Sequence, residues 1–174
     1  METPLRSVLV VDDERDLLEM IPHSLARLEA RIETANTAEE ALRKAALFNF
    51  NAILCDLAMP GLSGLSLIAE LRRLRCDAAV VIYSGFGGRE ELLEALRLGA
   101  FDFIDKPATA EVLVPVMARA IEVGVRRARN RHRLEQLATE LPDSEIMRQF
   151  QIDDKILSLI QVINFFERRD KLKA

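Results

Sequence analysis

Tryptophan is absent from the 174 residues, tyrosine occurs once, and cysteine and histidine occur twice each. Cys55 and Cys76 are too few and too poorly spaced for a disulfide framework or a zinc site. No stretch approaches the roughly 18 consecutive apolar residues of a membrane span. The N-terminal segment also turns acidic at Asp12, before the apolar core of a signal peptide could form. These absences predict a cytoplasmic protein with reduced thiols and no membrane partner.

Charge is abundant but unevenly distributed along the chain. Residues 1–118 carry a net charge of −7, whereas residues 119–174 carry a net charge of +3. The two parts therefore have different characters, and we predict one domain over residues 1–125 and a helical tail over residues 126–174.

Short apolar runs alternate with helical patterns over the first part of the chain. We predict strands at 7–12, 31–36, 51–56, 78–85 and 101–105, and helices at 14–29, 38–48, 64–74, 89–100 and from 110 onward. Thr37 is the predicted N-cap of the second helix, and Glu40 would complete a capping box. The strict alternation predicts an α/β fold with a doubly wound, five-stranded parallel sheet.

Polar residues end or directly follow four of the predicted strands, at the sheet edge where such folds hold their sites. They are Asp12, Asp13, Asp56, Ser84 and Lys106. Clustered carboxylates repel one another unless a cation lies among them, and Mg²⁺ is a hard cation that prefers such oxygens. Lys106 and Ser84 would then hold the oxygens of a phosphoryl group. Each fragment alone is also typical of a helix cap, a turn or a loop end, so the hypothesis depends on their joint placement.

Four sequence fragments carry a resemblance to a known family. They are VLVVDDE, DLAMPGLSG, VVIYSG and GAFDFIDKP, and each stands at a predicted strand end in the expected order. The set resembles the receiver domain of two-component response regulators over residues 5 to about 125. The resemblance implies a flavodoxin-like fold with strand order 2-1-3-4-5.

The resemblance implies that Asp56 is the phosphoacceptor, which takes a phosphoryl group from a histidine kinase or a phosphotransfer protein. Asp12, Asp13 and Asp56, together with the backbone carbonyl of Ala58, would bind Mg²⁺ or Mn²⁺. The domain would catalyse its own phosphorylation and dephosphorylation. We find no motif of a multiple-turnover enzyme in the sequence.

The resemblance also implies how the phosphoryl group is held and read. Lys106 would pair with phosphoryl oxygens, and Ser84 would donate a hydrogen bond to one of them. Phe103 would swing inward and change the surface of the fourth helix, fifth strand and fifth helix, although Phe103 is also a candidate core residue. Three positions would be structural: Pro107, expected after a cis bond, and Pro60 and Gly61, which fix a tight turn.

Two positions would tune how easily water reaches the acyl phosphate. Ala58 lies two residues past Asp56, and Phe86 lies two residues past Ser84. Neither side chain can hydrogen-bond a water molecule, and Phe86 is bulky. We therefore expect self-dephosphorylation over minutes to hours rather than seconds.

The tail has a basic start and an apolar seam. Five arginines between residues 126 and 133 lack interleaved aromatic residues, which is more typical of a solvated linker helix than of a nucleic-acid surface. Apolar residues from Ile152 to Phe166 recur at spacings of three and four, which favours packing against another helix. We predict that residues 126–174 form a homodimer contact, or the start of an output region that the sequence does not identify.

Two alternatives stay open at this point. A DNA-binding transcriptional regulator would use the basic tail, and its affinity for duplex DNA would fall steeply with salt. A scaffold protein would keep the receiver shape without being phosphorylated, although the intact acidic set argues against it.

Overall fold

The computed structural model describes residues 6–85 and 88–140, with the backbone alone at Arg89 and over 134–140. Within these residues one parallel sheet contains the strands β1 (Ser7–Val11), β2 (Arg31–Ala35), β3 (Ala52–Cys55), β4 (Ala79–Ser84) and β5 (Asp102–Asp105). The helices are α1 (Arg15–Ser24), α2 (Ala38–Leu47), α3 (Gly64–Arg73), α4 (Arg89–Arg97) and α5 (Ala110–Glu140). The strand order is β2-β1-β3-β4-β5, so the predicted doubly wound order 2-1-3-4-5 is confirmed.

The inner strands are apolar except for Ser7 at the start of β1 and Tyr83 and Ser84 at the end of β4, because both faces of the sheet are covered. Alternate residues such as Leu9, Ile53 and Ile82 join side chains from α2, α3 and α4 in the first core cluster. The intervening residues, such as Val10 and Val81, join side chains from α1 and α5 in the second core cluster. With both faces filled, the edge beyond the carboxyl ends of the strands is left for polar side chains.

Helix α1 is shorter than predicted. It ends at Ser24, a 3₁₀ turn follows at Ala26–Leu28, and Glu29 takes a left-handed conformation with φ of 49°. Leu25 and Leu28 are both buried, and their spacing of three fits an α-helix and a 3₁₀ turn equally. The prediction of one helix to residue 29 is therefore wrong.

The start of α2 follows the predicted cap with one difference. Thr37 Oγ1 accepts a hydrogen bond from the Glu40 N–H at 3.1 Å, as expected for an N-cap. The Glu40 carboxylate accepts from the Asn36 N–H at 2.9 Å, one residue before the cap. That backbone bond is the main reason that the pKa of Glu40 is lowered.

Helix α5 is anchored to the segment that leads into β4. Arg127 Nη1 donates to the Ala78 carbonyl at 3.4 Å, and Arg131 Nη1 donates to the Arg75 carbonyl at 3.0 Å. Arg131 Nη2 also lies 2.8 Å from Asp77 Oδ2. The first of two compact units accordingly extends to His132.

No helix among the described residues is both long and apolar enough to cross a bilayer. The predicted apolar seam at 152–166 and the tuning residue Phe86 lie outside the described residues, so both stay predictions, as does the domain boundary at 125.

Candidate functional site

Asp12, Asp13 and Asp56 meet at the carboxyl edge of the sheet. One carboxylate oxygen from each lies within 4.8 Å of the others. Asp12 and Asp56 are buried and Asp13 is exposed. The sheet sets this geometry, because the Asp12 N–H donates to the Ala35 carbonyl and the Asp56 N–H donates to the Val11 carbonyl. Asp12 and Asp56 therefore each continue the ladder one residue past their strands, and they share this edge.

Lys106 joins the two buried carboxylates. Its Nζ lies 2.7 Å from Asp12 Oδ2 and 2.8 Å from Asp56 Oδ2, with Glu14 Oε1 at 3.5 Å. Lysine Nζ is a point charge with three donors, so one ammonium can serve both acids. The carboxylates of Asp12, Glu14 and Asp56 around this one ammonium leave the cluster with a net negative charge. A further cation would reduce the repulsion between them.

Burial and hydrogen bonding act in opposite directions on these groups. Burial raises the pKa of the Asp12 carboxyl above its ordinary value, against the lowering effects of Lys106 and of the Glu14 N–H. For Lys106, burial acts to lower the pKa, but the hydrogen bonds to Asp12 and Asp56 outweigh it and raise the pKa. Lys106 is therefore an ammonium at neutral pH.

Ser84 brings a buried hydroxyl without a partner to the same edge. The residue is 1% exposed, and its Oγ has no hydrogen-bond partner among the described residues. A buried hydroxyl without a partner is destabilising, so a ligand oxygen that accepts from Ser84 would remove that penalty. This hydroxyl is the feature that fits a phosphoryl oxygen.

The loop after β3 holds the Asp56 carboxylate. Oδ1 accepts from the Ala58 N–H at 3.2 Å, while Oδ2 is bound by Lys106. Gly64 packs directly on this loop, because a Cβ there would lie 2.2 Å from the Asp56 carbonyl oxygen. Gly61 has φ of 82°, a conformation that favours glycine, in the turn predicted from Pro60 and Gly61.

The remaining predicted positions are placed as follows. Phe103 is half-buried and packs against the first core cluster. The Lys106–Pro107 peptide bond is cis, as expected. Ala58 is exposed and Asp105, at the end of β5, is exposed as well. The roles assigned to these residues stay predictions.

Two contributors were missed from the sequence. Tyr83 is 2% exposed, and its ring centroid lies 5.4 Å from Lys106 Nζ. Its hydroxyl accepts a hydrogen bond from the Ala108 N–H at 3.3 Å. Glu14 also approaches the ammonium. The available signal was a single tyrosine inside an apolar strand, directly before the serine of the site.

The donor set suits a hard divalent cation. Three carboxylates that converge without histidine or thiolate are oxygen donors of the kind that Mg²⁺ and Mn²⁺ accept. Asp12, Asp13 and Asp56 would hold such an ion. Cys55 does not compete, because burial raises the pKa of its thiol and keeps it protonated.

The chain is similar to known proteins over the residues that build this site. The family model described as "Response regulator receiver domain" matches residues 8–118. The nitrogen assimilation regulatory protein NtrX of Azorhizobium caulinodans is 36% identical over 132 residues, which cover 75% of this chain and 29% of NtrX. The regulatory protein AtoC of Escherichia coli is 28% identical over 137 residues, which cover 79% of this chain and 30% of AtoC.

Solved structures match over the same part of the chain. A response regulator receiver domain protein (CheY-like) of Methanospirillum hungatei superposes with a TM-score of 0.66 at 26% identity. The match covers 70% of this chain and 98% of that one. By contrast, the chain spans less than a third of the length of NtrX and AtoC.

Proposed function

The chain belongs to the response regulator receiver family, and from that premise we propose that it accepts a phosphoryl group on Asp56 from a histidine kinase or a phosphotransfer protein. One observation carries the proposal. The Asp56 carboxylate lies between Lys106 Nζ and the Ala58 N–H, at the same edge as the buried Ser84 hydroxyl that has no partner among the described residues.

The proposed step is a nucleophilic displacement at phosphorus. A carboxylate oxygen of Asp56 attacks the phosphorus of the phosphohistidine, a P–O bond forms, the P–N bond breaks, and the ring leaves as neutral imidazole after its other nitrogen takes a proton from solvent. Lys106 is already an ammonium beside the attacking carboxylate, so it offsets negative charge as the phosphoryl group arrives.

After transfer, the phosphoryl group would replace a carboxylate charge with a larger one. The phosphorylated side chain would carry about −1.5 to −2 charges and three acceptor oxygens. Lys106 would stay bound to these oxygens, and the Ser84 hydroxyl would donate to one of them. A divalent cation held by Asp12, Asp13 and Asp56 would supply Lewis-acid charge for the same oxygens.

The phosphoryl signal would leave the site through β4 and β5. Ser84 ends β4 and pairs with Asp105 of β5, and Phe103 lies on β5 against the first core cluster. A shift of Ser84 toward the phosphoryl group would therefore favour a second arrangement of the α4–β5–α5 surface. Such a surface would act on an output region, which in the longer curated regulators lies outside the matched part.

Finer assignments stay part of this proposal. Mg²⁺ as the physiological ion, a cytoplasmic location and homodimerisation through residues 126–174 are inferences from the family and from the tail sequence. DNA binding by the basic tail and a scaffold role without phosphorylation gain no support from the described residues.

Labelling with acetyl phosphate tests the proposal. Wild-type protein with Mg²⁺ is expected to gain the mass of one phosphoryl group, and Asp56→Asn is expected to gain none. Asp105→Asn is the matched control, because Asp105 ends a strand at the same edge but is exposed. Equal labelling of wild type and Asp56→Asn would contradict the proposal.

The same experiment measures the lifetime of the phosphoryl group. After acetyl phosphate and Mg²⁺ are replaced by fresh Mg²⁺ buffer, the label is expected to decay over minutes to hours. A half-life of seconds would refute the tuning roles predicted for Ala58 and Phe86.

A further inference from the structure

Tyr83 is adjacent to Ser84 in sequence and contacts the loop that carries Lys106. It is the penultimate residue of β4, directly before Ser84, and its side chain lies in the second core cluster. Its strand neighbour Ser84 points to the opposite face by the alternation of a β-strand. The tyrosine is thus buried behind the site and joined through one peptide bond to the serine in it.

Three contacts connect Tyr83–Ser84 to the loop that carries Lys106. The Lys106 ammonium lies 5.4 Å from the centroid of the Tyr83 ring. The Ala108 N–H, two residues further on, donates to the Tyr83 hydroxyl at 3.3 Å. The Lys106 N–H donates to the Ser84 carbonyl at 3.2 Å. Residues of β4 therefore contact both the ammonium of Lys106 and the backbone of the loop around it.

We propose that Tyr83 is a positioning residue for phosphoryl transfer, and that it acts through Lys106. Its ring face holds the ammonium toward Asp12 and Asp56, and its hydroxyl fixes the loop after the lysine. This inference rests on the proposed function, because it concerns the rate at which Asp56 is phosphorylated.

The ring is suited to this role by its charge distribution. An aromatic face is negative and attracts a cation, and the attraction is strongest where water is excluded. The Lys106 side chain is 12% exposed, so little water competes for its ammonium. An aliphatic side chain of similar size would fill the same volume in the second core cluster but would offer the ammonium no such face.

Three substitutions separate these contributions. Tyr83→Phe keeps the ring and loses the bond to Ala108, whereas Tyr83→Leu loses both. Val81→Ala is the matched control, because Val81 is fully buried two residues earlier in the same strand and cluster. We expect Tyr83→Leu to slow labelling by acetyl phosphate by about tenfold, and Tyr83→Phe by at most about threefold. Val81→Ala should lower stability and leave the labelling rate unchanged.

A double-mutant cycle shows whether Tyr83 acts through the lysine. In a Lys106→Met background, which labels slowly, Tyr83→Leu is expected to cause no further loss. An equal additional loss in that background would mean that Tyr83 only supports the strand, and would overturn the inference.

A readout independent of activity comes from the lysine itself. The chain has five lysines, so a spectrum of ¹³C-labelled lysine side chains is simple, and Lys106→Met identifies the Lys106 signal. In protein without metal or phosphodonor, the ring current of Tyr83 should shift the Lys106 ε-proton signal. The shift should persist in Tyr83→Phe and disappear in Tyr83→Leu; a signal unchanged in Tyr83→Leu would overturn the contact.

The outcomes distinguish the two claims. Wild-type protein that takes no label on Asp56 would contradict the proposed function. Wild-type and Tyr83→Leu proteins that label at the same rate would contradict the positioning role alone, with the proposed function intact.

Discussion

Replacing Gly64 by alanine tests how tightly the loop that follows Asp56 is held. A Cβ at this position would lie 2.2 Å from the Asp56 carbonyl oxygen and 2.8 Å from the Leu57 Cα. Both are backbone atoms, so no side-chain rotation relieves the overlap. Ordinary contact begins near 3.4 Å, so the loop must move by more than 1 Å. We expect a cost of about 1–3 kcal/mol in the free energy of unfolding.

The effect on phosphorylation should exceed the effect on stability. A displacement of about 1 Å at a reacting group can slow a reaction by roughly a hundredfold. Labelling by acetyl phosphate, at a temperature where urea titration shows both proteins folded, measures that loss. Gly88→Ala is the control, because a Cβ at Gly88 would meet no described atom within 4 Å. If Gly64→Ala labels as fast as Gly88→Ala, the reasoning about this loop is refuted.

Two further substitutions test the electrostatics and the packing. Burial raises the pKa of the Asp12 carboxyl above its ordinary value of 3.8. The contribution of Asp12 to the free energy of unfolding therefore falls as the pH rises through that raised pKa. Asp12→Asn should therefore gain stability relative to wild type from pH 4 to 7 without divalent cation, by urea titration; a constant difference would contradict this. Gly124→Ala would place a Cβ 1.8 Å from the Asn51 carbonyl oxygen. It should lower stability by at least about 1–3 kcal/mol, yet folded protein should still label, since Asn51 and Asp56 flank opposite ends of β3.

The convergence of the site residues could be predicted because parallel strands end at one edge. Asp12, Asp56 and Lys106 are far apart in sequence, yet the alternation of strands and helices was enough to bring them together. Lys106 Nζ lies 2.7 Å from Asp12 and 2.8 Å from Asp56, so these three side chains do lie together, while their roles stay predictions. The family resemblance predicted over residues 5 to about 125 is confirmed by the family model, which matches residues 8–118.

Other features depend on facts that sequence patterns do not carry. The end of α1 was missed because Leu25 and Leu28 satisfy helical and 3₁₀ periodicity alike. The Glu40 carboxylate accepts from the Asn36 N–H instead of the expected Thr37 N–H, and sequence spacing does not distinguish these two donors. Tyr83 resembles the other apolar residues of its strand. Its contact with Lys106 depends on how the loop after β5 folds back on β4, and residues 83 and 106 are far apart in sequence.

The arginine anchors of α5 matter to anyone who grafts this receiver onto another effector. A splice at residue 125 would discard Arg127 and Arg131, whose side chains hydrogen-bond α5 to the segment 75–78. That segment feeds directly into the strand that ends in Ser84. A chimaera joined after residue 132 would keep both hydrogen bonds, and with them the connection between the joined helix and the strand that carries Ser84, the proposed phosphate contact.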